Sequence, residues 1–292
     1  MFEGVYTALV TPFRDDRIDY AALEGIIEAQ VKGGVDGVVP VGTTGESPTL
    51  SFEEHKEYIQ RVVALVNKRI RVIAGTGSNS TREAVHLSTA AQEYGVDGVL
   101  LVNPYYNKPP QRGLIAHFET IAKSITVPAI LYNIPGRTGI NFLPESILEL
   151  LDRAPNIVAI KEATGDIAQM MRVIELCGDR LTLLSGDDNL LLPVLSIGGK
   201  GVISVLSNVL PADMKKIVAL YNGGKIDESR KLFYKILPLC RAMFYETNPI
   251  PVKAAMEMMG RCGGDLRLPL VRLSDDNRAK LRQALIEYGV KL

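Results

Sequence analysis

The 292-residue sequence predicts an α/β protein in which eight parallel strands close into a (β/α)8 barrel and a C-terminal helical extension follows. Three observations carry that expectation. Short aliphatic runs alternate with amphipathic segments throughout residues 1–222. No Pro- or Ser-rich linker or shift of composition interrupts the alternation. The least ordinary residues fall just after the aliphatic runs, where the carboxyl ends of strands would gather.

The strands are expected at Val5–Val10, Gly37–Val41, Arg71–Ala74, Gly98–Val102, Pro128–Tyr132, Ile157–Ile160, Leu181–Leu184 and Gly201–Val205. Each is a short run rich in β-branched or aliphatic residues. Helical spacing of apolar residues marks 19–32, 52–67, 80–94, 111–124, 144–153, 166–177, 189–197 and 211–222. Strand and helix in strict alternation imply parallel strands joined by crossover helices. Two junctions nearly repeat, Gly34-Val-Asp-Gly-Val-Val39 and Gly95-Val-Asp-Gly-Val-Leu100. In each, a glycine is expected to end the helix in the left-handed conformation. Eight units of similar length in about 220 residues suit a closed barrel, whose usual size is ~250. A doubly wound open sheet is the competing fold, and the even unit length favours closure. Residues 223–292 carry three helical patterns, 226–246, 250–260 and 275–289, and no strand pattern. They are expected to pack on the barrel as an extension.

Composition narrows the function. The chain is 47% hydrophobic and 23% charged, with 33 acidic and 33 basic residues. That balance gives no electrostatic reason to expect nucleic acid or an anionic membrane surface. No uncharged stretch reaches the ~18 residues of a membrane-spanning helix. The start, Met1-Phe-Glu-Gly-Val, lacks the basic region and cleavage site of a signal peptide. Cys177, Cys240 and Cys262 are odd in number and far apart, which reads as reduced thiols in a cytoplasmic protein.

Lys161 is the most informative residue. It closes the run Asn156-Ile-Val-Ala-Ile and precedes Glu162-Ala-Thr-Gly-Asp166. Lysine seldom ends a buried strand, because desolvating an ammonium is costly. The same desolvation favours the neutral amine that forms a Schiff base with a carbonyl substrate. A snorkelling or ion-paired lysine is the plain structural alternative. Gly42-Thr43-Thr44-Gly45 offers backbone N–H groups and two hydroxyls for a carboxylate or phosphate, or is an ordinary turn. It lacks the GK[ST] ending of a P-loop. Gly75-Thr-Gly-Ser-Asn-Ser80 has serine where a dinucleotide fingerprint needs its third glycine, so Ser80 is expected as a helix cap. Tyr132, at the end of the fifth strand, could relay protons or fill the barrel mouth. Arg137, in a Pro135-Gly136 turn, suits a substrate carboxylate. Tyr105 and Tyr106 follow Pro104 in a loop where tandem aromatics often meet another surface. His55, His86 and His117 recur once per unit on predicted helices, which places them in the outer layer as solvated or helix-packing residues. No His/Asp/Glu cluster argues for a metal, and no GxSxG argues for a serine nucleophile.

Taken in order, five segments resemble the pyruvate-dependent class I aldolase superfamily, typified by dihydrodipicolinate synthase and N-acetylneuraminate lyase. They are Val41-Gly-Thr-Thr-Gly-Glu-Ser, Pro104-Tyr-Tyr-Asn-Lys, Tyr132-Asn-Ile-Pro-Gly-Arg-Thr-Gly, Ile160-Lys-Glu-Ala-Thr-Gly-Asp and Asn248-Pro-Ile-Pro-Val-Lys253. Arg137 and the Tyr105-Tyr106 pair resemble the synthase branch more than the lyases. That resemblance implies condensation of pyruvate with (S)-aspartate 4-semialdehyde through Lys161, the first committed step of diaminopimelate and lysine synthesis, with no cofactor. It implies that Thr43 and Thr44 hold the pyruvate carboxylate and that Tyr132, Thr43 and Tyr106 pass protons. It gives Arg137 the aldehyde's carboxylate, and Gly186 and Ile203 backbone carbonyls in the pocket. It implies a homo-oligomer, a tetramer built as a dimer of dimers, in which Tyr106 enters a neighbouring subunit's site. Ser47, His55, Asn79, Glu83 and Tyr105 match a feedback site for L-lysine, while Pro48 and Phe52 depart from its more polar version. The other functions compatible with these residues are another pyruvate aldolase and a catalytically silent keto-acid-binding barrel.

Overall fold

The computed structural model describes residues 2–292. Eight parallel strands form a closed barrel. They are β1 Gly4–Ala8, β2 Gly37–Val39, β3 Arg71–Gly75, β4 Gly98–Val102, β5 Ala129–Asn133, β6 Ile157–Glu162, β7 Thr182–Ser185 and β8 Gly201–Ser204. Each pairs with its sequence neighbours, and β1 closes the ring by pairing with both β2 and β8. The crossover helices are α1 Tyr20–Gly33, α2 Phe52–Val66, α3 Thr81–Glu93, α4 Gln111–Lys123, α5 Pro144–Arg153, α6 Ile167–Cys177 and α7 Leu191–Ser196, and α8 Pro211–Asn222 follows the last strand. Three more helices follow, α9 Ile226–Ala242, α10 Ile250–Met258 and α11 Asp275–Tyr288.

Strand periodicity divides the core into two shells. Alternate side chains point inward, so Leu100, Ile130, Ala159, Leu184 and Ile203 fill the barrel with Tyr6 and Tyr132. Their neighbours Val99, Leu101, Leu131 and Ile160 face outward into the layer of helices. The same alternation sends Lys161, two residues after Ala159, into the barrel, and Glu162 outward. Gly34 and Gly95 end their helices at φ 73° and 84°, the left-handed region that the repeated junctions predict. Ser80 caps α3 by accepting a hydrogen bond from the Glu83 N–H. Ser51 and Glu54 form a reciprocal capping box at the start of α2.

Four details differ from the sequence expectation. A two-stranded hairpin, Phe13–Arg14 with Arg17–Ile18, lies between β1 and α1; its strands of two residues are too short for a periodic signal. The 189–197 segment shrinks to α7, because Asp188–Leu190 winds as a 3-10 turn. The 226–246 pattern stops at Ala242, and the remainder forms turns and bends. Pro135–Thr138, expected as a turn, forms one helical turn closed by Gly139 at φ 74°.

The extension is tied deeply into the barrel. Lys253 on α10 is fully buried and donates to Glu46 Oε1 at 2.7 Å and to the Thr11 carbonyl at 2.9 Å. Its ammonium also sits 4.3 Å from the Phe13 ring centre. Burial pulls the Lys253 pKa down, and the Glu46 charge opposes that shift. Glu46 Oε2 accepts from the Arg267 N–H, so both carboxylate oxygens are used. Lys253→Ala strands that carboxylate, which is expected to cost about 3–5 kcal/mol. Urea melts check this; a loss below about 0.5 kcal/mol, the range of an ordinary surface change, would contradict it.

Candidate active site

The barrel's carboxyl end brings most of the sequence-selected residues together. Tyr132 and Lys161 are register partners on β5 and β6. Both are 5% exposed, and Lys161 Nζ lies 4.1 Å from the Tyr132 ring centre. Gly186, in the loop after β7, donates its N–H to the Glu162 carbonyl at 2.7 Å. A Cβ there would come within 2.6 Å of the Ala163 side chain and 3.2 Å of Lys161 Cε. Glycine therefore lets this backbone approach the lysine stem. Ile203 on β8 is fully buried in the barrel interior.

The threonine loop comes from the opposite wall. Thr43–Gly45 forms one 3-10 turn after β2, and Glu46 ends it at φ 56°. Thr43 and Tyr132 line a shared cavity of about 30 Å³ with Gly42, Leu100 and Val102. That space has room for a water or one small polar group. Thr44 is buried, and its hydroxyl accepts from Asn248 Nδ2 at 3.0 Å. Arg137 is exposed on its helical turn and donates through Nη2 to the Asn248 carbonyl at 3.0 Å. Asn248 thus braces both the threonine loop and the arginine, from the segment between α9 and α10. Sequence reading placed Asn248 in a motif without assigning it this bracing.

Asp187 is a second residue left without a role. Its half-buried carboxyl stands near Lys161; burial pushes its pKa up, and the lysine charge opposes that. Its neighbour Asp188 is fully buried and accepts from the Val205 and Leu206 N–H groups, which fixes the loop after β8. Ser185-Gly-Asp-Asp188 directly follows the expected strand Leu181–Leu184, and that position is the signal available in the sequence.

Tyr106 does not join this group within one chain. It is 90% exposed, with φ 71°, and projects from the loop after β4. The loop is braced by Asn79, whose Nδ2 donates to the Tyr105 carbonyl, and by Asn107, whose Nδ2 donates to the Asn79 carbonyl.

A second cavity, of about 180 Å³, gathers Ser47, His55, Glu83 and Tyr105, and Pro48, Phe52 and Ser78 also stand in its wall. Ser78 Oγ donates to Glu83 Oε2 at 2.6 Å. His55 Nε2 lies 2.8 Å from the Gly75 carbonyl, which can only accept, so the ring proton is on Nε2. Burial lowers the His55 pKa. Asn79 is outside the lining and acts on it through Tyr105. His117 is buried against Thr81 and Phe118, whereas His86 is exposed. Among the described residues, no group of three or more His, Cys, Asp or Glu side chains could hold a metal, and no helix is long and apolar enough to cross a membrane.

A closed barrel with a buried lysine at a strand end and a tyrosine against it resembles the architecture of the class I, lysine-dependent aldolases. More narrowly, the chain belongs to the dihydrodipicolinate synthetase family, whose model matches residues 1–288. A 4-hydroxy-tetrahydrodipicolinate synthase of Leptospira biflexa is 58% identical over 275 residues, covering 94% of this chain and 93% of the relative. The chloride-inhibited dihydrodipicolinate synthase of Acinetobacter baumannii, solved in complex with pyruvate, superposes with a TM-score of 0.97 at 41% identity, covering all of both chains. The enzyme of Cyanidioschyzon merolae, solved with lysine bound, gives 0.96 at 42% identity, covering 99% of each.

Proposed function

We infer that this protein condenses pyruvate with (S)-aspartate 4-semialdehyde to form 4-hydroxy-tetrahydrodipicolinate. The observation that carries the mechanism is the Lys161–Tyr132 pair, buried in the barrel mouth with Nζ 4.1 Å from the ring. The Lys161 amine attacks the pyruvate ketone, and loss of water gives an imine. The protonated imine draws electrons from the methyl group, which loses a proton and leaves an enamine. The enamine carbon attacks the aldehyde, whose oxygen takes up a proton and becomes the 4-hydroxyl. The substrate's amine then adds to the imine carbon, closes the ring and expels Lys161. Thr43 and Thr44 hold the pyruvate carboxylate, Gly186 and Ile203 present backbone carbonyls, and Arg137 takes the semialdehyde carboxylate. Borohydride with pyruvate reduces the imine and is expected to fix a three-carbon adduct on Lys161. An adduct on another lysine, or none, would refute this mechanism.

Tyr106 completes a proton relay with Thr43 and Tyr132 in a neighbouring copy, so the working form is a homo-oligomer, a dimer of dimers. Its 90% exposure in the single chain supports that reading. A positioned proton relay contributes about 10²–10⁴ in rate. Tyr106→Phe is expected to reduce turnover within that range at an unchanged melting temperature; full turnover would remove Tyr106 from the relay. The three free cysteines suit a cytoplasmic protein. Residues 1–222 form the catalytic barrel and 223–292 the extension that braces its mouth through Asn248.

A second role rests on the 180 Å³ cavity. It takes L-lysine as a feedback inhibitor, with Glu83 the partner for an ammonium and Ser47, His55 and Tyr105 around it. The lysine-bound relative supports this. Turnover is expected to fall as lysine is added, and Glu83→Gln to relieve the inhibition. Activity that stays flat at millimolar lysine would remove the role.

A further inference from the structure

On β4, β5 and β6, a polar residue directly follows an inward-facing one at the strand's end. The pairs are Val102-Asn103, Tyr132-Asn133 and Lys161-Glu162. Val102 and Tyr132 line the 30 Å³ cavity beside Thr43, and Lys161 packs on Tyr132. Their successors, turned by the strand period to the outer face, are all fully buried. Buried polar groups must find partners, and these three find one another. Asn103 Nδ2 donates to Asn133 Oδ1 at 2.8 Å, and Asn133 Nδ2 donates to Glu162 Oε2 at 3.1 Å. Glu162 Oε1 accepts from the Thr164 N–H at 2.9 Å. Asn133 Nδ2 also donates to Asn141 Oδ1, and Asn141 exchanges amide hydrogen bonds with Gln169 on α6.

We propose that Asn133 and Glu162 are positioning residues that set the placement of Tyr132 against Lys161 from the far side of the sheet. The register supplies the link: Tyr132 pairs with Lys161, and Asn133 with Glu162, on consecutive rungs of one ladder. A side-chain bond between the outer pair therefore fixes the twist and separation of the inner pair. The backbone carbonyl of Glu162 extends the restraint by accepting from Gly186, whose loop lies against the lysine stem. The threonine loop that holds the pyruvate carboxylate stands on β2 and is outside this network. Loosening the clamp should therefore slow imine formation without weakening pyruvate binding. The inference rests on the proposed role of Lys161.

Glu162→Gln, Glu162→Ala, Asn133→Ala and the double alanine variant test it. The readouts are single-turnover borohydride trapping with pyruvate, pyruvate KM, kcat and thermal melts. Displacing reacting groups by an ångström can cost about 10²-fold. Trapping rate and kcat are expected to fall toward that limit in the alanine variants, with pyruvate KM unchanged. The near-isosteric Glu162→Gln, which keeps one acceptor, should fall between them and wild type. The double variant should lose little more than either single one, because both break the same bond. Melting temperatures that fall while trapping and kcat stay at wild-type values would overturn the proposal, and so would a raised KM at constant kcat. Glu162→Gln decides the matter if the alanine variants fail to fold. Wild-type protein that traps no pyruvate would instead refute the role of Lys161.

Discussion

Lys161→Ala is expected to lower turnover by on the order of 10³-fold or more, the scale seen when a covalent nucleophile is removed. The chemistry after pyruvate binding depends on the protonated imine as an electron sink, and no other amine stands in the same place. Lys253 is also buried, yet it is bonded to Glu46 and Thr11 on the way to the extension. Lys161→Arg should be as inactive, because a guanidinium stays protonated and cannot attack a ketone. Both variants should fold, since the nearby charge that Lys161 supports, the half-buried Asp187 carboxyl, is already pushed toward its neutral form by burial. The check is steady-state turnover beside borohydride trapping and a melt. Either variant turning over within tenfold of wild type would show that the carbon–carbon bond forms without this imine.

Arg137→Ala has the second-largest expected effect, and it falls on the other substrate. Hydrogen bonds to charged groups contribute about 1.5–3 kcal/mol. Loss of the arginine should therefore reduce kcat/KM for the semialdehyde by roughly 10–10²-fold, at about 1.4 kcal/mol per tenfold. Pyruvate trapping at Lys161 should be unaffected, because Arg137, on the turn after β5, is proposed to hold the aldehyde and not pyruvate. The side chain is exposed and holds one backbone carbonyl, that of Asn248, so stability should change little. A variant that lost pyruvate trapping as well would make Arg137 part of the pyruvate site instead.

The barrel was legible because its signals are local. A strand, a crossover helix and a glycine such as Gly34 or Gly95 each announce themselves within a few residues, and eight repetitions average out errors at the ends. Lys161 was legible for the same reason: a charged residue closing an aliphatic run is unusual wherever it occurs. What stayed hidden is whatever depends on two distant segments meeting. Asn248 lies 204 residues from Thr44 and Lys253 lies 207 from Glu46, and no spacing rule joins them. The extension looked like an appendix from periodicity alone, whereas its polar residues reach the barrel mouth. Asn133 and Glu162 were hidden differently. They stand beside Tyr132 and Lys161 in the sequence but face the opposite side of the sheet, where a polar residue at a strand end reads as solvated. The isolated chain likewise leaves Tyr106 in solvent, because its role as proposed needs a second copy.

Pyruvate-dependent turnover with (S)-aspartate 4-semialdehyde, run beside N-acetylmannosamine and simple sugar-derived aldehydes, tests the substrate assignment. A clear preference for the semialdehyde, diminished by Arg137→Ala, is the expected result. Equal or better turnover of another aldehyde would leave the Lys161 chemistry standing and contradict the assignment of substrate.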